Sequence, residues 1–122
     1  MAYNRILLPV DGSEHSMHAV AHAVSLVREG GEIVVATVLP PIHNVIGGDA
    51  RREAEEAVKT DANLITKPVM DVIAKDNIAC REKIVLHTST AEGIIETAED
   101  MKCDLIVMGS RGRSDIEGLL LG

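Results

Sequence analysis

Arg5-Ile6-Leu7-Leu8-Pro9-Val10-Asp11-Gly12-Ser13 is the stretch that decides the fold. Ile6 to Val10 is apolar without alternation, the pattern of a strand covered on both faces. Gly12-Ser13 turns the chain, and Ser13 is suited to cap a helix. Beyond it Met17, Val20, Val24 and Val27 recur at i, i+3, i+7 and i+10, which predicts the inner face of a helix. Gly30-Gly31 reads as its stop. A doubly buried strand feeding a helix is the first half of a parallel crossover unit.

Working outward, the same alternation repeats. Glu32-Ile33-Val34-Val35-Ala36-Thr37-Val38 reads as a second buried strand, ended by Pro40-Pro41. A loop over 42–49 carries Gly47-Gly48. A long helix is predicted from about Ala50 to about Lys75, striped by Ala54, Val58, Ala62, Ile65, Val69 and Val72, with Pro68 expected to kink or split it. Ile78 to Leu86 is a less apolar third strand, suited to a sheet edge. Ser89-Thr90-Ala91-Glu92 fits a capping box, followed by a short helix whose inner face is read as Ala91, Ile94, Ile95 and Ala98. Leu105-Ile106-Val107-Met108 is a fourth strand, Gly109 to Arg113 a glycine loop, and Asp115 the start of a further helix that the chain cuts off at Gly122. The order implies an α/β fold: one domain over residues 1–122, an open parallel sheet, helices on both faces and right-handed crossovers.

Composition narrows the partners. The chain has 122 residues, 46% hydrophobic and 25% charged, which suits one globular domain and excludes disorder as a description of the whole. Its apolar runs are strand-sized, far from the ~18 residues of a membrane helix. Asn4 and Arg5 lead into a run too short for a signal peptide, so no membrane and a cytoplasmic location are expected. Cys80 and Cys103 stand alone and are expected to be buried free thiols. With 12 basic against 19 acidic residues the net charge is −7, which argues against nucleic acid. The absence of Trp and Phe, with Tyr3 the only aromatic residue, leaves no stacking platform for single strands.

A ligand in such a sheet sits beyond the carboxyl ends of strands where the strand order reverses. The loops after the first and fourth strands are therefore the candidates. Gly109 and Gly112 let backbone N–H groups turn toward an anion and let it approach closely. Arg111 and Arg113 place two cations together in an acidic chain, just before a helix start. Asp11, at the opposite lip, is suited to accept hydrogen bonds from ribose hydroxyls. The glycines fall as Gly109-x2-Gly112-x9-Gly122.

On these residues the sequence resembles the universal stress proteins of the nucleotide-binding branch. Ile6-Leu7-Leu8-Pro9-Val10-Asp11-Gly12-Ser13 resembles the family's opening strand and turn. Cys103-Asp104-Leu105-Ile106-Val107-Met108-Gly109-Ser110-Arg111-Gly112 resembles its fourth strand and glycine loop. The resemblance spans the chain. It implies a Rossmann-like sheet of the adenine nucleotide alpha hydrolase type, in strand order 3-2-1-4-5. It also implies an ATP or related adenine nucleotide ligand, expected with Mg2+, and a homodimer. By position, Asp11 would hold the ribose or adenine side, and Val38 would line the adenine slot and bond it through backbone. Gly109 would meet ribose and phosphate, and Arg111, Gly112 and Gly122 would approach the phosphates, with Arg113 beside them. Without aromatics the slot walls should be aliphatic: Pro9, Val10, Val38 and Met108. The family pattern continues past the third glycine with Ser or Thr, where this sequence ends. A C-terminally incomplete domain is thus expected, lacking its fifth strand and leaving Leu105–Met108 as an apolar edge.

Other chemistries fit less well. His15, His18 and His22 share one helical face without a completing ligand, which reads as a solvated face rather than a metal site. A P-loop would need Gly-x4-Gly-Lys-Ser/Thr, and a nucleophile elbow is missing. The expected role is nucleotide-dependent regulation in a stress response, with at most weak ATP hydrolysis. The alternatives are a nucleotide-independent dimerisation or protein-interaction module of the same fold, or a slow ATPase.

Overall fold

Tyr3–Pro9 forms β1, and every side chain from Ile6 to Pro9 is buried, as its unbroken apolar run demands. The computed structural model describes residues 3–43, 47–109 and 120–121. After β1 come α1 (Glu14–Leu26), β2 (Val27–Leu39), α2 (Gly48–Ala74), β3 (Ala79–Leu86), α3 (Thr90–Asp100), β4 (Leu105–Val107) and β5 (Leu120–Leu121). The sheet order is β3-β2-β1-β4-β5, with the first four strands parallel.

Residues of β1 alternate between two cores. Ile6 and Leu8, with Ile33 and Val35 of β2, pack under α1 and α2 against Ala19, Val20, Ala23, Val69 and Ile73. Leu7, with Val34 and Ala36, packs on the other side against Ile94 and Ala98 of α3. The helices therefore cover both faces of the sheet. At its amino end the sheet is tied by charge. Glu32 lies between Arg5 (2.6 Å) and Arg81 (3.0 Å), and Asp104 accepts the backbone N–H groups of Asn4 (2.8 Å) and Arg5 (2.9 Å).

Several boundaries differ from the sequence reading. The Gly30-Gly31 pair does not stop a helix. α1 ends at Leu26, and Val27 turns to extended backbone (φ −74°, ψ 137°) and begins β2. The register of β1 on β2 then slips between Tyr3 and Arg5, and Gly30, at φ +83°, lies in the extra length. The inner seam of α1 is Ser16, Ala19, Val20 and Ala23, leaving Met17 41% exposed. In α2 the buried line is Ala62, Thr66, Val69 and Ile73, because the hydroxyl of Thr66 donates to Glu82 of β3 and can therefore be buried. Pro68 neither ends nor splits α2; it lies on the exposed side, where solvent can take up the carbonyl it leaves unpaired. In α3 the buried residues are Gly93, Ile94, Thr97 and Ala98, while Ile95 is 52% exposed.

The β4 edge, expected to stand bare, is partly covered. Leu120–Leu121 pairs antiparallel with β4, Leu121 against Ile106 and Leu120 against Val107. Two paired residues give part of the β4 edge a backbone partner. The helix expected from Asp115 to Gly122 therefore does not extend through 120–121, and residues 115–119 lie outside the described residues. Cys80 and Cys103 are free and half-buried rather than fully buried. Among the described residues no helix is long and apolar enough to cross a membrane.

Candidate functional site

The chain runs from β1 outward to β2 and β3 on one side and returns to β4 on the other. The strand order thus reverses beside β1, and a crevice opens beyond its carboxyl end. A cleft of about 330 Å³ lies there. Pro9, Val10 and Asp11 enter it from β1, Val38 from β2, and Met108 and Gly109 from the end of β4. Six of the residues expected from sequence are thus brought together. Arg111, Gly112, Arg113 and Gly122 lie outside the described residues, as does the side chain of His15.

The first lip is built by local hydrogen bonding. The Val10 N–H donates to the Ala36 carbonyl (2.8 Å), carrying the β1–β2 ladder past Pro9. Gly12 then turns at φ +87°, a conformation L side chains rarely adopt. Asp11 closes the turn: its Oδ1 accepts the Ser13 N–H (3.0 Å) and the Ser16 hydroxyl (2.8 Å). Ser13 caps α1 by accepting the Ser16 N–H (3.4 Å).

The wall opposite α1 comes from α3, and the sequence reading missed it. Thr90 and Ile94 line the cleft, one turn apart on the same helical face. Gly93 allows α3 to lie this close, because a Cβ there would stand 3.3 Å from Val38 Cγ1 and 3.1 Å from His87 Cβ. His87 steadies the helix start. Its Nδ1 accepts the Ser89 N–H (2.9 Å), so the proton sits on Nε2, which faces Glu96 at 3.2 Å. Ser16 was missed as well, although Asp11-x-Ser13-x-x-Ser16 at a helix start is a short-range hydrogen-bonding pattern.

The site is therefore a mixed cleft, with aliphatic walls from Pro9, Val10, Val38, Ile94 and Met108. Its polar groups are a carboxylate, two hydroxyls and the backbone of Gly109. Such a lining, largely apolar with a few polar groups, is of the kind that small-molecule sites present. Among the described residues no group of three His, Cys, Asp or Glu side chains is placed to hold a metal ion. Burial raises the Cys80 and Cys103 thiols above their ordinary range, so neither is an activated nucleophile.

A doubly wound sheet with a cleft at its reversal point defines the class: an open α/β protein whose crevice lies at the carboxyl ends of its strands, the place where sheets of this kind bind ligands. The chain belongs to the universal stress protein family, whose sequence profile matches residues 2–122. It is 31% identical to Universal stress protein MJ0531 of Methanocaldococcus jannaschii over 126 residues, covering 98% of this chain and 72% of that protein. A universal stress protein solved in complex with cAMP superposes with a TM-score of 0.73, at 21% identity, over 95% of this chain and 82% of that one. An Arabidopsis thaliana universal stress protein family protein with AMP bound superposes with a TM-score of 0.65, at 13% identity, over 93% of this chain and 80% of that one.

Proposed function

We propose that this chain is a regulatory adenine-nucleotide-binding protein. In this reading it takes ATP with Mg2+ in the cleft and answers through a changed conformation or oligomeric state, as a cytoplasmic homodimer in a stress response. The observation that carries the reading is the convergence of Asp11, Val38 and Gly109 on one cleft at the reversal of the sheet. The residues fit the ligand. Aliphatic side chains can sandwich a base, and the Val38 backbone lies beside it, one residue before the end of β2. Asp11 is an acceptor for sugar hydroxyls. At about 330 Å³ the cleft is near the lower limit of small-molecule sites, roughly 300–1,000 Å³. Arg111, Gly112, Arg113 and Gly122 are assigned to the phosphates. Mg2+ would be carried mainly by phosphate oxygens and water, as is usual for this ion. Relatives of the same fold solved with cAMP and AMP support an adenine nucleotide.

Acid extraction of the purified protein, with mass spectrometry of the extract, identifies any bound nucleotide. Thermal melting with millimolar ATP tests the empty protein. A raised midpoint that Gly112→Asp removes supports the reading. No shift and no extracted nucleotide would overturn it in favour of a nucleotide-independent interaction module.

A further inference from the structure

Ser16 has no place in the ligand contacts assigned above, yet it borders the cleft and only 6% of it is exposed. Its hydroxyl is committed in two directions. It donates to Asp11 Oδ1 (2.8 Å) and accepts the backbone N–H of the same residue (3.1 Å). A serine hydroxyl has one proton, so this donor is spent on the carboxylate. Asp11 is thus gripped from both its backbone and its side chain by one buried atom, while the Ser13 N–H shares Oδ1 (3.0 Å). The grip comes from the first turn of α1, whose seam is packed in the core.

We infer that Ser16 is a positioning residue that holds the Asp11 carboxylate toward the cleft and so makes the site selective for ligands bearing a free ribose hydroxyl. The inference rests on the nucleotide reading above. Ser16 acts through Asp11 and touches no ligand atom itself. Without the Ser16 hydroxyl the carboxylate would lose its buried donor and be held less firmly, and a sugar hydroxyl would have to complete its ordering on binding.

The test compares ATP with 2′,3′-dideoxy-ATP by isothermal titration. Wild type should bind ATP at least about tenfold more tightly. Ser16→Ala should lose most of that preference by weakening ATP alone, Ser16→Thr should restore it, and Ser16→Ala should add nothing in an Asp11→Ala background. If the alanine form does not fold, Ser16→Cys, with its weak donor, is read instead. Equal weakening of both ligands, or an unchanged preference, overturns the inference while leaving the nucleotide reading intact. Wild type that binds neither ligand overturns both.

Discussion

Gly31 shows how much one missing side chain can decide. A Cβ at this position would lie 2.7 Å from the Asn4 carbonyl oxygen and 3.1 Å from that of Arg28. Both are backbone atoms, which cannot swing aside as a flexible side chain can. Gly31→Ala should therefore destabilise the protein by about 1–3 kcal/mol in urea unfolding. Gly30→Asn is the contrast: nothing lies within 4 Å of a Cβ there, and asparagine tolerates a φ of +83° better than most residues. Its cost should be the smaller of the two. The glycine pair also marks a limit of the sequence. Read locally, Gly-Gly after an apolar helical stripe is a stop signal. Only the approach of β1, distant in sequence, makes it part of a strand. Asp11, Val38, Met108 and Gly109 were legible because each sits at or just past the end of an apolar strand. Ser16, Thr90 and Ile94 were not, because their place in the cleft depends on how α1 and α3 dock.

At the scale of elements, the strands were easier to read than the helix faces. A doubly buried strand shows itself as a continuous apolar run, as in β1 and β2. A helix face depends on docking angle, and polar atoms can join it when a partner waits across the interface. Thr66 of α2 is the example, since its partner Glu82 lies on β3. The start of α3 was legible from its N-cap: Ser89 Oγ accepts the Glu92 N–H at 3.2 Å, while His87 Nδ1 rather than the Glu92 carboxylate takes the Ser89 N–H, so half of the expected capping box forms. Ser89→Ala should cost about 1 kcal/mol in chemical denaturation. Under the proposed function it should also weaken nucleotide binding, because Thr90 beside it lines the cleft. The amino ends of the strands give a pH prediction. Burial pushes the Glu32 carboxyl up, but hydrogen bonds from Arg81 and Arg5 outweigh it and hold the group below its ordinary range. Burial likewise raises Asp104, and the N–H groups of Asn4 and Arg5 outweigh it. Both therefore add stability that is complete above their unfolded values and is lost as pH falls through their lower folded values. Unfolding free energy should decline on acidification through and below the ordinary carboxylate range. Glu32→Gln should flatten that decline, measured by denaturant titration across pH.

Over the whole molecule, the two ends of the sheet are built for different work. The amino end is closed by the Arg5–Glu32–Arg81 cluster and by Asp104 holding β1. The carboxyl end is left open as a cleft between β1, β2, β4 and the start of α3. A ligand in that cleft touches elements that the core already joins, so it should stabilise the native chain as a unit. For nucleotide at a hundredfold excess over Kd the gain is about 2.7 kcal/mol. In a domain of this size that corresponds to a rise in melting temperature on the order of 10 °C. Asp11→Ala should lower the melting temperature without ligand, since it strips the Ser13 N–H and the Ser16 hydroxyl of their acceptor. It should also shrink the rise produced by a given ATP concentration. The second effect is the informative one, because a residue that only supports the fold would lower both melting curves and leave their separation unchanged. Differential scanning calorimetry of wild type and Asp11→Ala, each with and without ATP, reads both quantities. An unchanged separation would remove Asp11 from the ligand contacts and leave it as the hydrogen-bonding centre of the β1–α1 turn.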